Sequence, residues 1–263
     1  MYNTSIDATD TPYGRATGPS LCVTTYGAPN TFISDIQYGC PILMTTQAEQ
    51  IQAKTQFGLP IDESFGKAAS EESLQKTAAA LRTRNFSVEV VGTPADARAY
   101  VNSILPKDQS IFTASSETVR LSGLEEDING SAKYNAVRPQ FNKLDRNTQR
   151  AEMRRLAVSP DVVVGSVHAI TEDGRLVAAS AGGSQLAAYG AGAGRVILVV
   201  GSQKIVPDLD TAMRRLQYYA YPKEDVRARE KYGMPSALLK ILIVNGDMPG
   251  RVSVVLVREP IGF

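Results

Sequence analysis

The sequence predicts an α/β fold in which one sheet carries helices on both faces. Three observations lead there. Helix-patterned and strand-patterned segments alternate from about residue 49 onward. Several strand segments are apolar at every position rather than every second one, which suits parallel strands buried on both faces. Gly, Pro, Asp and Asn punctuate the junctions between segments.

Each element follows from local chemistry. Ser70 ahead of Glu71 and Glu72 is a helix start, with a capping hydroxyl and acidic residues at the positive end, and Leu74, Ala78 and Leu81 then repeat at helical spacing. Ser87 to Val91 reads as a strand. Pro94 opens a second helix, with Ala97, Tyr100, Val101 and Ile104 facing inward. Ser110 to Thr113 is a short strand that runs into Ser115-Ser116-Glu117-Thr118, the start of another helix. A helix is expected over Thr148 to Ala157. Val162 to Val164 is a continuous apolar strand. Thr171-Glu172-Asp173-Gly174 closes a β-hairpin between Ala169-Ile170 and Arg175-Leu176-Val177, with Asp-Gly making the turn. A short helix is expected over Gln185 to Tyr189 and a second apolar strand over Arg195 to Val200. Pro207 opens a helix that carries Leu209, Met213 and Leu216 on one face. Lys240 to Val244 and Val252 to Val257 are two further strands, joined by the turn-rich Gly246 to Gly250.

Two regions result: residues 1–48 and a domain over 49–263. The first is rich in Thr, Tyr, Gly, Pro and Asn, with Arg15 its one basic residue. Its composition fits a loosely ordered tail or an arm that packs on a partner, and Tyr26, Phe32, Ile33, Ile36 and Tyr38 favour the arm.

Composition excludes several function classes. Lys+Arg is 28 and Asp+Glu is 27, a net charge of +1, so no global field draws nucleic acid to the chain. The two cysteines, Cys22 and Cys40, are too few for an iron–sulfur cluster and lack the spacing and histidine neighbours of a zinc site. No metal or other cofactor is expected. The first twenty residues are polar, with Asp7 and Asp10 where a secretory signal would be basic and then apolar, and no apolar run is long enough for a membrane span. A cytoplasmic location is expected.

The chemistry concentrates between Gly165 and Gln203, where eight of the 21 glycines fall. Small residues beside hydroxyls let backbone N–H groups approach an anion closely. Gly182-Gly183-Ser184 leads into a helix, which places amide donors at the ligand end of such a site. Ser166 and Thr171 add hydroxyls, and Lys204 and Asp208 bracket the next helix start, where the lysine would neutralise a small bound anion. The alternative is that these glycines only make turns and close packing. His168, the one histidine, follows a buried strand near its C-terminal end and is a candidate acid–base or hydrogen-bonding group. Glu172 is the second catalytic candidate, since the Asp173-Gly174 turn does not itself require it. Gly190-x-Gly192-x-Gly194 lies before its strand, unlike a dinucleotide loop, and neither a phosphate-loop motif nor a Gly-x-Ser-x-Gly elbow occurs.

The run ITEDGRLVAASAGGSQLAAYGAGAGRVILVVGSQKIVPDLDTAMRRL, Ile170 to Leu216, resembles the LUD domain of the lactate-utilisation family, as does PGRVSVVLVREPIGF at Pro249 to Phe263. The resemblance is strongest over 150–263, weaker over 49–150 and absent over 1–48. It implies a CoA-transferase-like fold, a three-layer α/β/α domain around a largely parallel sheet. It also implies a role in the utilisation of lactate or a related organic acid, often beside iron–sulfur and flavin partner subunits. Three functions remain open on this basis. One is a non-redox accessory subunit that binds a small anionic metabolite. Another is an enzyme of the CoA-transferase or sugar-phosphate-isomerase kind that uses Glu172, by analogy of fold alone. The last is an oligomerisation module in which residues 1–48 wrap a neighbouring copy and Tyr218, Tyr219 and Tyr221 supply aromatic contact.

Overall fold

The computed structural model describes residues 51–145 and 147–263; the expected arm over 1–48, with Cys22 and Cys40, lies outside the described residues. The first half alternates as expected: α1 (Glu71–Thr83), β1 (Ser87–Val91), α2 (Pro94–Ile104), β2 (Ser110–Thr113), α3 (Glu117–Leu121), α4 (Leu124–Asn129), β3 (Asn135–Ala136), α5 (Arg138–Lys143) and α6 (Arg150–Val158). The predicted starts are real caps. Ser70 Oγ accepts from the Ser73 amide at 3.1 Å, and Thr93 with Asp96 forms a reciprocal capping box ahead of Pro94. The second half contains β4 (Val162–Gly165), β5 (Ala169–Thr171), β6 (Leu176–Ser180), α7 (Ser184–Ala187), β7 (Arg195–Gly201), β8 (Ile205–Val206), α8 (Leu209–Arg215), α9 (Tyr221–Tyr232), β9 (Lys240–Val244) and β10 (Val252–Val257).

The strands form two sheets. The larger has the order β1-β10-β7-β4-β2-β3, and every pairing in it is parallel. Its central strands β4, β7 and β10 are buried nearly throughout, which explains why they are apolar but for Arg195 and Ser253. Successive residues point to opposite faces and feed separate cores. Val162, Val164, Ile197, Val199 and Val255 pack under α2, α3 and α4. Val163, Val196, Leu198, Val254 and Leu256 pack under α1, α6 and the segment carrying Leu186 and Tyr189. Helices thus cover both faces of a parallel sheet, the expected three-layer α/β/α arrangement. Each fully buried Val or Leu here contributes roughly 1.5–3 kcal/mol through the apolar area it removes from water.

The smaller sheet, β8-β5-β6-β9, contains the predicted hairpin: β5 and β6 pair antiparallel, β8 joins β5 in parallel and β9 joins β6 antiparallel. One face adds Ile170, Leu176, Ala178 and Leu242 to the core beneath the large sheet, and the other packs Val177, Ala179 and Val206 against Ala212 and Leu216. The turn-rich Gly246 to Gly250 therefore links two sheets, since β9 belongs to the small one and β10 to the large one.

Two helical stretches widen into π-turns. One, Ala188–Gly192, replaces the end of the helix expected over Gln185 to Tyr189. A Cβ at Gly192 would stand 1.8 Å from the Val158 carbonyl oxygen, so only glycine lets the backbone pass there. The other, Leu216–Ala220, joins α8 to α9. Pro222 follows it, and its ring nitrogen cannot donate to the preceding turn. The Tyr218 carbonyl four residues earlier instead accepts from the Asp62 amide at 2.7 Å. Among the described residues no helix is long and apolar enough to cross a membrane.

Candidate functional site

The carboxyl ends of β2, β4 and β7 converge on a cavity of about 370 Å³, the size at which small-molecule sites begin. Open α/β sheets bind ligands at this end of their strands. The segment after β4 brings Ser166, Val167 and His168, the segment after β2 brings Ser115, Ser116 and Glu117, and the turn after β7 brings Lys204. The small sheet supplies Ala179 to Gly182, and the π-turn with α9 closes the far wall through Leu216, Ala220, Tyr221, Glu224 and Arg227.

Lys204 is 1% exposed and forms no ion pair among the described residues. Its Nζ donates to Thr118 Oγ1 at 2.9 Å, Ser166 Oγ at 3.1 Å and the Val167 carbonyl at 3.1 Å. Burial, and then the nearby Arg215 guanidinium, push this ammonium well below the usual lysine range. Arg215 is also fully buried, with no carboxylate partner among the described residues. It donates from Nε to the Gln203 carbonyl at 3.2 Å and from Nη1 to the His168 carbonyl, and its carbon centre sits 5.0 Å from the Tyr219 ring centre. Its Nη2 is a buried donor with no hydrogen-bond partner among the described residues. Burial lowers its pKa to about 10.

His168 accepts the Ala179 amide on Nδ1 at 3.1 Å, so the ring proton resides on Nε2. Burial, with Lys204 and Arg215 beside it, pushes its pKa down to about 3, and the imidazole is a neutral donor at physiological pH. The Tyr189 hydroxyl fixes the preceding backbone: it receives the Ser166 amide and donates to the Ser166 carbonyl, both at 3.2 Å. Gly165 makes room for it, because a Cβ there would lie 1.8 Å from the phenol oxygen. Arg138 adds positive charge to one wall, its guanidinium over the Phe112 ring at 4.3 Å and the Phe141 ring at 5.2 Å. At the opposite wall Glu224 holds Arg227 through two 2.7 Å bonds, and Glu117 Oε1 lies 4.0 Å from the same guanidinium.

The fold thus brings together four of the residues singled out from sequence: Ser166, His168, Gly182 and Lys204 all line the cavity. It places the others elsewhere. Gly183 takes a left-handed turn, φ 88°, and its amide is occupied by Ser180 Oγ at 2.8 Å. Ser184 opens α7, but its side chain lies outside the described set. Thr171 is buried and donates to the Asp173 carboxylate in the hairpin turn. Glu172 is fixed by Ser73 Oγ at 2.7 Å and Lys76 Nζ at 2.6 Å, against α1 and not among the cavity-lining residues. Asp208 caps α8 by accepting the Thr211 amide at 2.7 Å. Beside Gly182 the site also gathers side chains outside that expectation: Thr118, which bonds Lys204, and Arg138, Tyr189, Glu224 and Arg227, which line the cavity. Of these, Thr118 left a trace within the Ser115 to Thr118 helix start, and Tyr189 as the end of the helix expected over Gln185 to Tyr189.

A sequence profile described as the LUD domain matches residues 74–257. Among solved structures, a DUF162 family protein from Deinococcus radiodurans is similar at 13% identity and a TM-score of 0.46, over 73% of this chain and 99% of that one. No curated protein matches the chain.

Proposed function

The chain belongs to the LUD-domain family, and from that premise we propose that it binds a small carboxylate-bearing metabolite of the lactate class as a non-redox component of organic-acid utilisation. One observation carries the reading: two basic side chains, Lys204 and Arg215, are buried beside a cavity, and among the described residues no carboxylate bonds to either. A buried basic group without an acidic partner is costly to charge, so an anion drawn to that end of the cavity offsets the cost of charging it. The neutral His168 offers its Nε2–H, and Ser166 offers a hydroxyl already oriented by Lys204. A carboxylate or hydroxy acid needs no more than two or three such donors and one cation. Any electron transfer belongs to iron–sulfur or flavin partner subunits in this reading, and Glu172 has no part in the site.

The test is a thermal-shift series on the full chain with L-lactate, glycolate, inorganic phosphate and a sugar phosphate. A ligand that binds only the folded state raises the melting temperature in proportion to its saturation. A rise with a hydroxy acid that disappears in Lys204→Met supports the reading. The absence of a shift with all four anions overturns it.

A further inference from the structure

Lys204 has a chemistry that anion binding alone does not use. Its partners are two hydroxyls and one carbonyl, not an acid. The Thr118 and Ser166 hydroxyls accept from Nζ and donate to the Ile261 and Val167 carbonyls through long 3.3 Å bonds, and either hydroxyl, rotated toward Nζ, donates to a free amine. A carboxylate partner would instead hold the proton on. We propose that Lys204 is a carbonyl-condensing amine, and that the cavity takes 2-oxo acids, which it holds as an imine on Nζ.

The proposal rests on the small-acid reading, since the carboxylate of the 2-oxo acid is what brings it to this cavity. The reacting part is the adjacent carbonyl. The Nζ lone pair forms a bond to the carbonyl carbon, and the π pair moves to oxygen. One N–H proton passes to that oxygen and gives a carbinolamine. The carbon–oxygen bond then breaks, oxygen leaves as water with the second N–H proton, and a C=N bond remains. The Ser166 and Thr118 hydroxyls stand at 3.1 and 2.9 Å from Nζ, within reach to relay both protons. The His168 Nε2–H polarises the carbonyl as a neutral donor. Burial and the Arg215 charge keep the amine in its nucleophilic form. Phe141, Met153, Leu216 and Leu238 give the cavity an apolar wall against which the rest of a short 2-oxo acid can lie.

The experiment incubates the full chain with pyruvate or glyoxylate, adds borohydride, and locates any reduced adduct by intact mass and peptide mapping. The expected result is one adduct per chain, on the peptide containing Lys204, suppressed by excess L-lactate and absent when L-lactate replaces the oxo acid. Lys204→Arg, which cannot form the imine, gives no adduct. Mapping in the wild-type chain decides the matter even if that variant does not fold. A lactate-induced shift with Lys204 unmodified, or adducts confined to exposed lysines, overturns the imine and leaves the binding reading intact. Neither shift nor adduct overturns both.

Discussion

The phenol oxygen of Tyr189 occupies the space that a side chain at Gly165 would need, and from there it holds both backbone polar groups of Ser166. The end of β4 and the start of the cavity wall are therefore set by a residue 23 positions away from Ser166. Gly165→Ala must expel that ring from a close-packed core. Overpacking of this kind typically costs about 1–3 kcal/mol. Chemical denaturation should show the loss, and the lactate response should weaken with it as Ser166 loses its orientation.

Lys204→Met makes the opposite prediction for stability. It removes a buried amine that has no acidic partner among the described residues and leaves behind hydroxyls that can bond to each other or to water. Replacing buried charge with an apolar side chain of similar length is often neutral or stabilising by about 1–4 kcal/mol. The variant should melt at or above the wild-type temperature and yet lose its response to small acids. A marked fall in melting temperature would show that the ammonium is a structural element instead.

Ligand affinity should fall as pH rises. Lys204 titrates well below its ordinary value of 10.5, and a bound carboxylate favours the protonated amine. Binding therefore takes up a proton once the pH exceeds the free-protein pKa. Above that point the dissociation constant should grow by up to about tenfold per pH unit. Calorimetry in buffers of different ionisation enthalpy measures the uptake directly.

His168 affects the acid side of stability. Its pKa is about 3 in the folded protein against an ordinary 6.5, so the unfolded chain binds the proton more readily. The contribution is complete above pH 6.5 and is lost progressively as pH falls toward 3, on the order of a few kcal/mol in all. His168→Asn should flatten that limb of the stability profile. Because the chain has a single histidine, imidazole nitrogen NMR of untagged protein gives one unambiguous signal. It should report the Nε2–H tautomer and show no titration between pH 5 and 8, the range over which a histidine ordinarily changes charge.

Glu172→Gln tests the enzyme reading that fold analogy suggests. The carboxylate pairs with Lys76, which is largely exposed, so its loss should change stability little. Lactate binding and imine trapping should both be unaffected. A loss of either would bring the hairpin turn back into the site.

The parallel strands were legible because burial on both faces leaves Val162 to Val164 wholly apolar and Val252 to Val257 apolar but for Ser253. The small sheet was not. β9 is a half-exposed edge strand, and its residues carry no mark of which sheet they join. The same division holds for the cavity. Ser166, His168 and Lys204 were accessible to reasoning because they directly follow strand ends, where α/β folds place ligands. Arg138, Glu224 and Arg227 were not, because charges on a helix read as a solvated face until a neighbouring element turns that face inward. Thr171 and Glu172 were misplaced for a related reason: the hairpin aims its turn at α1, and sequence proximity to His168 does not become proximity in space.

The hydrogen bond from the Asp62 amide to the Tyr218 carbonyl ties the cavity's back wall to a segment upstream of the stretch that matches the family profile. Downstream of that stretch, Gln203 Nε2 grips the Ile261 and Gly262 carbonyls at 2.9 and 3.0 Å, and Phe263 reaches the cavity. An expression fragment trimmed to residues 74–257 would therefore retain every strand and still leave the pocket gaping at both seams. Cloning boundaries for this domain belong outside Asp62 and Phe263.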